Sequence, residues 1–86
     1  MELLHPPHGR PLIRHSRGIY ALTTGVQVGV VVRGCIHDRH GRYLGTIDHD
    51  CLVHRPEHRH RHAKPFMPAV LLLPETLDEL ADLLAG

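Results

Sequence analysis

The sequence predicts a small α+β domain: an antiparallel β-meander, or an SH3-like barrel, of about five strands with one C-terminal helix. Three observations predict it. Apolar residues alternate over 26–37 and again over 42–54, the period of a half-buried strand. Between these runs stands Asp38-Arg39-His40-Gly41, a connection of turn formers with a glycine suited to positive φ. Near the C-terminus Leu77, Leu80, Ala81 and Leu84 recur at i, i+3, i+4 and i+7, one face of a helix.

Residues 1–10 contain Pro6, Pro7 and Gly9 and are expected to form a flexible arm. Segments 12–16 and 19–23 are expected as strands turning at Arg17-Gly18, with Thr24-Gly25 turning again. In the central hairpin the even residues Val26, Val28, Val30, Val32 and Ile36 are expected to face the core. They would lie opposite the odd set Tyr43, Ile47, Cys51 and Val53, because residues directly across a ladder share a face. Residues 54–65 read as an exposed His/Arg-rich loop, and 67–73 as a short buried strand between Pro65 and Pro74. The helix begins at Thr76, where Glu79 three residues on completes a capping box. Asp78 and Glu79 suit the positive end of its dipole. The whole of 1–86 is expected to be one domain.

A chain of 86 residues buries only roughly 60–65% of its unfolded surface, so assistance from a partner, a metal or a disulfide is expected. The two cysteines are too few for a disulfide framework. The early acidic residue and the two prolines do not read as a secretory leader. No apolar run approaches the roughly 20 residues that span a bilayer, so no membrane association is expected. Nine arginines to one lysine, with abundant Gly, Pro, Ala, Leu and His, suggest a GC-rich bacterial genome and a cytoplasmic protein. Ten basic and five acidic residues precede Pro65, whereas four acidic and no basic residues follow it. The acidic tail is expected to neutralise the basic body within the fold, although a basic surface also attracts phosphate.

The stretch His54-Arg55-Pro56-Glu57-His58-Arg59-His60-Arg61-His62 is the candidate metal site, with His54, His58, His60 and His62 as ligands for zinc or nickel. In an extended backbone His58, His60 and His62 share one side, but the outer pair are roughly 13 Å apart and cannot close on one ion without help. A second combination, Cys35 and His37 with His49 and Cys51, offers a zinc-like ligand set. The expected register opposes it by placing the first pair outside and the second inside. His37-Asp38 with His40 has the residue types of a metal-dependent phosphohydrolase fragment, yet the chain is too short for such a fold, and Asp38 reads as a turn former.

No nucleophile with a base, and no glycine-rich phosphate loop before a helix, is present in the sequence, so catalysis is not expected. Arg55, Arg59 and Arg61 are candidate contacts to nucleic acid or another anion. Against nucleic acid, only Tyr20, Tyr43 and Phe66 can stack on bases. Val31, Leu44 and Leu52 break the expected inside–outside pattern and are candidates for an apolar interaction face. The sequence therefore points to a non-catalytic interaction or regulatory module, expected as a homodimer binding another macromolecule. Metal binding by the histidine loop and nucleic-acid binding by the arginines are the alternatives.

Overall fold

A computed structural model describes residues 1–71 of the chain. Seven short strands follow one another as an antiparallel meander: β1 Glu2–Leu4, β2 Leu12–His15, β3 Gly18–Ala21, β4 Gln27–Val32, β5 Cys35–His37, β6 Tyr43–Asp48 and β7 Cys51–Val53. The sheet curls until its ends meet. His5, just beyond β1, pairs in parallel with Cys51, its N–H donating to the Asp50 carbonyl at 2.8 Å and its carbonyl accepting from Leu52 N–H at 2.8 Å. A nearly closed barrel results, which leaves little free sheet edge.

Among the described residues the fold is thus antiparallel β, not α+β, and has seven strands where five were expected. The helix expected from Thr76 lies outside those residues. Where 1–10 was expected to be an arm, β1 forms, and its Leu4 is buried. Over the described part of 67–73 no strand forms, only an isolated bridge between Val70 and Val26. Both central runs, each expected as one strand, are hairpins themselves. Arg33 and Gly34 turn β4 into β5 with φ of 52° and 77°, and His49 opens the turn between β6 and β7 with φ of 59°.

These turns overturn the expected inside–outside pattern. A two-residue turn places Val32 opposite Cys35 and Val31 opposite Ile36, so the inward parity changes from odd on β4 to even on β5. Ile36 joins Leu4 and Ile19 in the core, with Leu12, Val31, Ile47 and Leu52 packed against it. Val31 and Leu52 are therefore core-flanking residues, and the interaction face expected from Val31, Leu44 and Leu52 does not exist as a unit. Leu44 remains exposed for a separate reason. The register shifts by one residue between Ile36 and His37, which leaves Leu44 as the extra residue of a bulge. Val28 is the extra residue of the matching bulge between β3 and β4, and it too is exposed. Cys51 was expected inside but is exposed on the far side of its turn.

After β7 the chain crosses the outer face of the barrel. It makes one 3-10 turn at Pro56–His58 and runs past the β5–β6 loop, where Ala63 N–H donates to the Gly41 carbonyl and Phe66 N–H to that of Arg39, both at 3.0 Å. It then reaches the start of β4, where Gln27 N–H donates to the Ala69 carbonyl at 2.8 Å. Gly41 has φ of 88°, and a Cβ there would strike the Ala63 carbonyl oxygen. Glycine is thus required twice over, by backbone conformation and by close approach. Replacing Gly41 by alanine is expected to destabilise the protein by about 2 kcal/mol, lowering Tm by about 8–16 °C. Thermal denaturation measures this, and hydrogen exchange should show the Ala63 amide losing protection.

Candidate functional site

The outer face under this covering segment is where the chemistry-bearing side chains gather. Because Ile36 points into the barrel, Cys35 and His37 point out of it, and yet both are buried. The sequence places them on the outer face, but the segment that covers that face is not foreseen there. Thr46, opposite Cys35, and Tyr43, opposite His37, complete the floor, and His58 descends onto it from the 3-10 turn.

Thr46 Oγ1 is the centre of this arrangement. It lies 2.7 Å from the Tyr43 hydroxyl, 2.9 Å from His58 Nδ1 and 3.7 Å from Cys35 Sγ. The Tyr43 hydroxyl also accepts from the Arg55 backbone N–H at 3.0 Å. With the His58 proton on Nε2, Thr46 donates to Nδ1 and accepts from Tyr43; with it on Nδ1, His58 donates to Thr46 and Thr46 to Tyr43. Cys35 Sγ sits 3.6 Å from His58 Nδ1 and accepts from Arg61 Nη1 at 3.5 Å. Tyr43 also packs edge-on against His58 and tilted against His54, with ring centroids 6.3 and 5.7 Å apart. Each half-buried polar atom in the knot has a partner, so its first role is to hold the covering segment down.

This geometry separates the four histidines proposed as metal ligands. Pro56 starts the 3-10 turn and breaks the extended alternation that would have aligned them. His58 is committed to Thr46, His54 lies on Tyr43, and His60 and His62 are exposed. Among the described residues, no group of three or more His, Cys, Asp or Glu side chains is placed to share an ion. Cys35 and Cys51 are likewise apart, one buried and one exposed. The Cys51 thiol donates to Asp50 Oδ1 at 3.5 Å. That bond, followed by partial desolvation and the charges of Asp50 and Asp48, pushes its pKa up. His49 is exposed and bonded to Asp48 at 2.8 Å.

The three arginines proposed as anion contacts also diverge. Arg55 pairs with Asp48 at 3.3 Å, Arg61 turns toward Cys35, and Arg59 is exposed. Asp38 acts as the turn former that its position predicts. Its Oδ1 accepts from the N–H groups of His40 and Arg42 at 2.9 and 3.0 Å, and its Oδ2 pairs with the Arg42 guanidinium at 2.9 Å. Desolvation pushes its pKa up, but these donors and the Arg42 charge outweigh it and hold the carboxyl below its ordinary value.

Two cavities flank Val32 where the covering segment passes over β4. One, of about 390 Å³, is apolar and lined by Val30, Val32, Ala63, Pro65 and Phe66, with Arg17 and Lys64 beside them. The other, of about 460 Å³, is lined by Val32, Arg33, His37, Arg61 and His62. Together they form a cleft with an apolar half and a basic half. Arg61 was legible as a candidate anion contact. Arg33 and His37 were missed in this role, since a strand drawn through 26–37 scatters what a turn at Arg33 brings together. Neither the known protein families, nor the curated proteins, nor the solved structures contain a match to this chain.

Two outcomes are expected from the knot and the loop. Thr46→Val keeps the shape but strands Tyr43, His58 and Cys35, and should destabilise by about 1–3 kcal/mol in urea denaturation. It should also speed alkylation of Cys35. Asp38→Asn should destabilise by about 1 kcal/mol above pH 5. A carboxyl whose folded pKa is lowered contributes stability above its unfolded value, near 3.8, and loses it as pH falls through the folded value. The gap between wild type and variant should therefore close as pH falls from 4 towards 2, which a denaturation series measures.

Proposed function

We propose that the protein is a non-catalytic interaction module that takes an acidic, partly apolar segment of a protein partner in the cleft at Val32. The observation that supports this is the adjacency of the two cavities. An apolar half lined by Val30, Pro65 and Phe66 adjoins a basic half lined by Arg33 and Arg61, and Val32 belongs to both. No carboxylate lines either half among the described residues, so the cleft carries uncompensated positive charge beside a desolvated apolar wall. Such a surface favours an acidic group next to a Leu- or Phe-sized side chain. Both cysteines are free, which suits a reducing compartment, and we place the protein in the cytoplasm. No helix among the described residues is long and apolar enough to cross a membrane.

Dimerisation is a second reading, on a different surface from the one the sequence suggested. Val26 and Val70 are paired across an isolated bridge and both exposed, with Val28 exposed two residues along β4. A second copy would cover this apolar patch, and light scattering on a sizing column measures it.

The cleft reading is tested by amide NMR of the full chain against a synthetic peptide of alternating Leu and Glu, with a Leu and Lys peptide as control. Saturating shifts at residues 17, 30–33 and 61–66 with the acidic peptide alone are expected. Phe66→Ala should weaken binding by about tenfold, the loss that follows from removing one buried aromatic anchor. Shifts confined to Val26, Val28 and Val70, or the same response to both peptides, would refute it.

A further inference from the structure

The basic half of the cleft is built in a way that general attraction for acidic chains does not explain. Arg33 and Arg61 come from opposite sides, one from the β4–β5 turn and one from the covering segment, to line a single cavity. Two guanidiniums that are charged at every relevant pH border it, with no carboxylate among the lining residues. Arg61 uses one donor on Cys35 Sγ and has four more. His37 also borders the cavity. Its residue is 2% exposed, and its Nδ1 is buried without a hydrogen-bond partner among the described residues. Buried imidazole nitrogens are ordinarily bonded, so this unpartnered one is unusual in a residue that lines the pocket wall.

The backbone adds an independent observation. Arg33 stands at the first position of a two-residue turn with φ of 52°, where Asn, Asp or Gly fits best and a long side chain is strained. Local turn chemistry therefore disfavours arginine at this position, whereas the cavity makes use of it.

We propose that this pocket is a subsite for a phosphoryl monoester, a dianionic tetrahedral group. Two positive charges match its charge of about −1.5 to −2 at neutral pH, and its three terminal oxygens match the donors of two guanidinium groups. A carboxylate would leave one guanidinium without a counter-charge. The adjoining apolar cavity at Val30 and Phe66 takes the organic body that carries the phosphoryl group. The inference names the anionic group for the same cleft, and in that sense rests on the reading above. The phosphoryl group has two sources, a phosphorylated side chain of a partner or a free small phosphate ester.

The test is amide NMR of the full chain at fixed ionic strength, titrated with inorganic phosphate, phenyl phosphate, a Leu-containing phosphoserine peptide and that peptide unphosphorylated. Saturable shifts at Arg33, Gly34, His37, Arg61 and His62 with the phosphorylated ligands are expected. Arg33→Asn keeps the turn, so Tm should hold or rise, while phosphate affinity falls at least about tenfold. Arg10→Gln, on the β1–β2 loop and lining neither cavity, should change nothing. A phosphopeptide that binds well above phenyl phosphate identifies a protein-borne group, and equal binding identifies a small ester. Unaltered affinity in Arg33→Asn, or no saturation by any phosphorylated ligand, overturns the proposal. So does a single-stranded oligonucleotide that binds more tightly than every monoester at these residues. If the Leu and Glu peptide binds at Val30 and Phe66 while phosphate does not, the subsite fails and the interaction module stands. The reverse pattern retains the subsite and removes the peptide reading.

Discussion

The structure depends on the knot at Thr46. One hydroxyl hydrogen-bonds both the Tyr43 hydroxyl and His58 Nδ1 and touches Cys35. Through His58 and the Arg55 N–H bond to Tyr43 it fixes where the chain leaves β7 and how it crosses the barrel. Every later position on the covering segment follows from that landing point. Arg61 reaches Cys35, Ala63 reaches Gly41 and Phe66 comes to lie near Val30. The cleft is the gap between a sheet face and a strand-like strap whose height above it is set by a threonine. A hydroxyl suits this role because it donates and accepts at once, and because it is small enough to sit beneath a histidine ring.

The fold was legible in its class of element and illegible in its turns. Alternation over 26–37 and 42–54 correctly signalled antiparallel β structure, and Asp38 with Gly41 marked the loop between. Arg33-Gly34 and His49-Asp50 were passed over because neither pair has the Asn-Gly or Asp-Gly form that announces a two-residue turn. The omission had a definite consequence. Each unrecognised turn reverses parity, so Val31 and Leu52 were placed outside and Cys51 inside, all opposite to the structure. The bulges at Val28 and Leu44 have one local sign, the glycine that follows each, Gly29 and Gly45, which marks a bulge or a close approach without saying which. They arise from tertiary fit, since a Cβ at Gly29 would lie 2.7 Å from an Ile36 methyl and one at Gly45 2.5 Å from a Leu52 methyl.

The candidate site was half legible for the same reason. Composition drew attention to residues 54–62, and the end of that segment, Arg61 and His62, lines the cleft. Its geometry was not legible because a run of alternating His and Arg invites an extended reading with the histidines on one side. Pro56 instead directs a 3-10 turn, after which His58 faces the barrel and serves as an anchor. The partners of Arg61 in the cleft, Arg33 and His37, lie over 20 residues earlier in the chain, and the passage of the covering segment over the barrel brings them near.

Size explains why stability and binding share the same residues. Among the described residues the fully buried apolar side chains are Leu4, Ile13, Ile19, Cys35 and Ile36, a slender set for a small domain. The covering segment supplements that core, and beyond the Thr46 knot it is fastened by backbone bonds to loops, from Ala63 and Phe66 to Gly41 and Arg39. Bonds of this kind are each modest in net contribution because water competes for the same groups. A ligand seated between Arg33 on the sheet side and Arg61 on the segment therefore acts as a further fastening, binding the closed form and not the unfolded chain. By mass action it stabilises the protein in proportion to the logarithm of its concentration above Kd. A pocket lined by two like charges thus gains stability from an anion set between them.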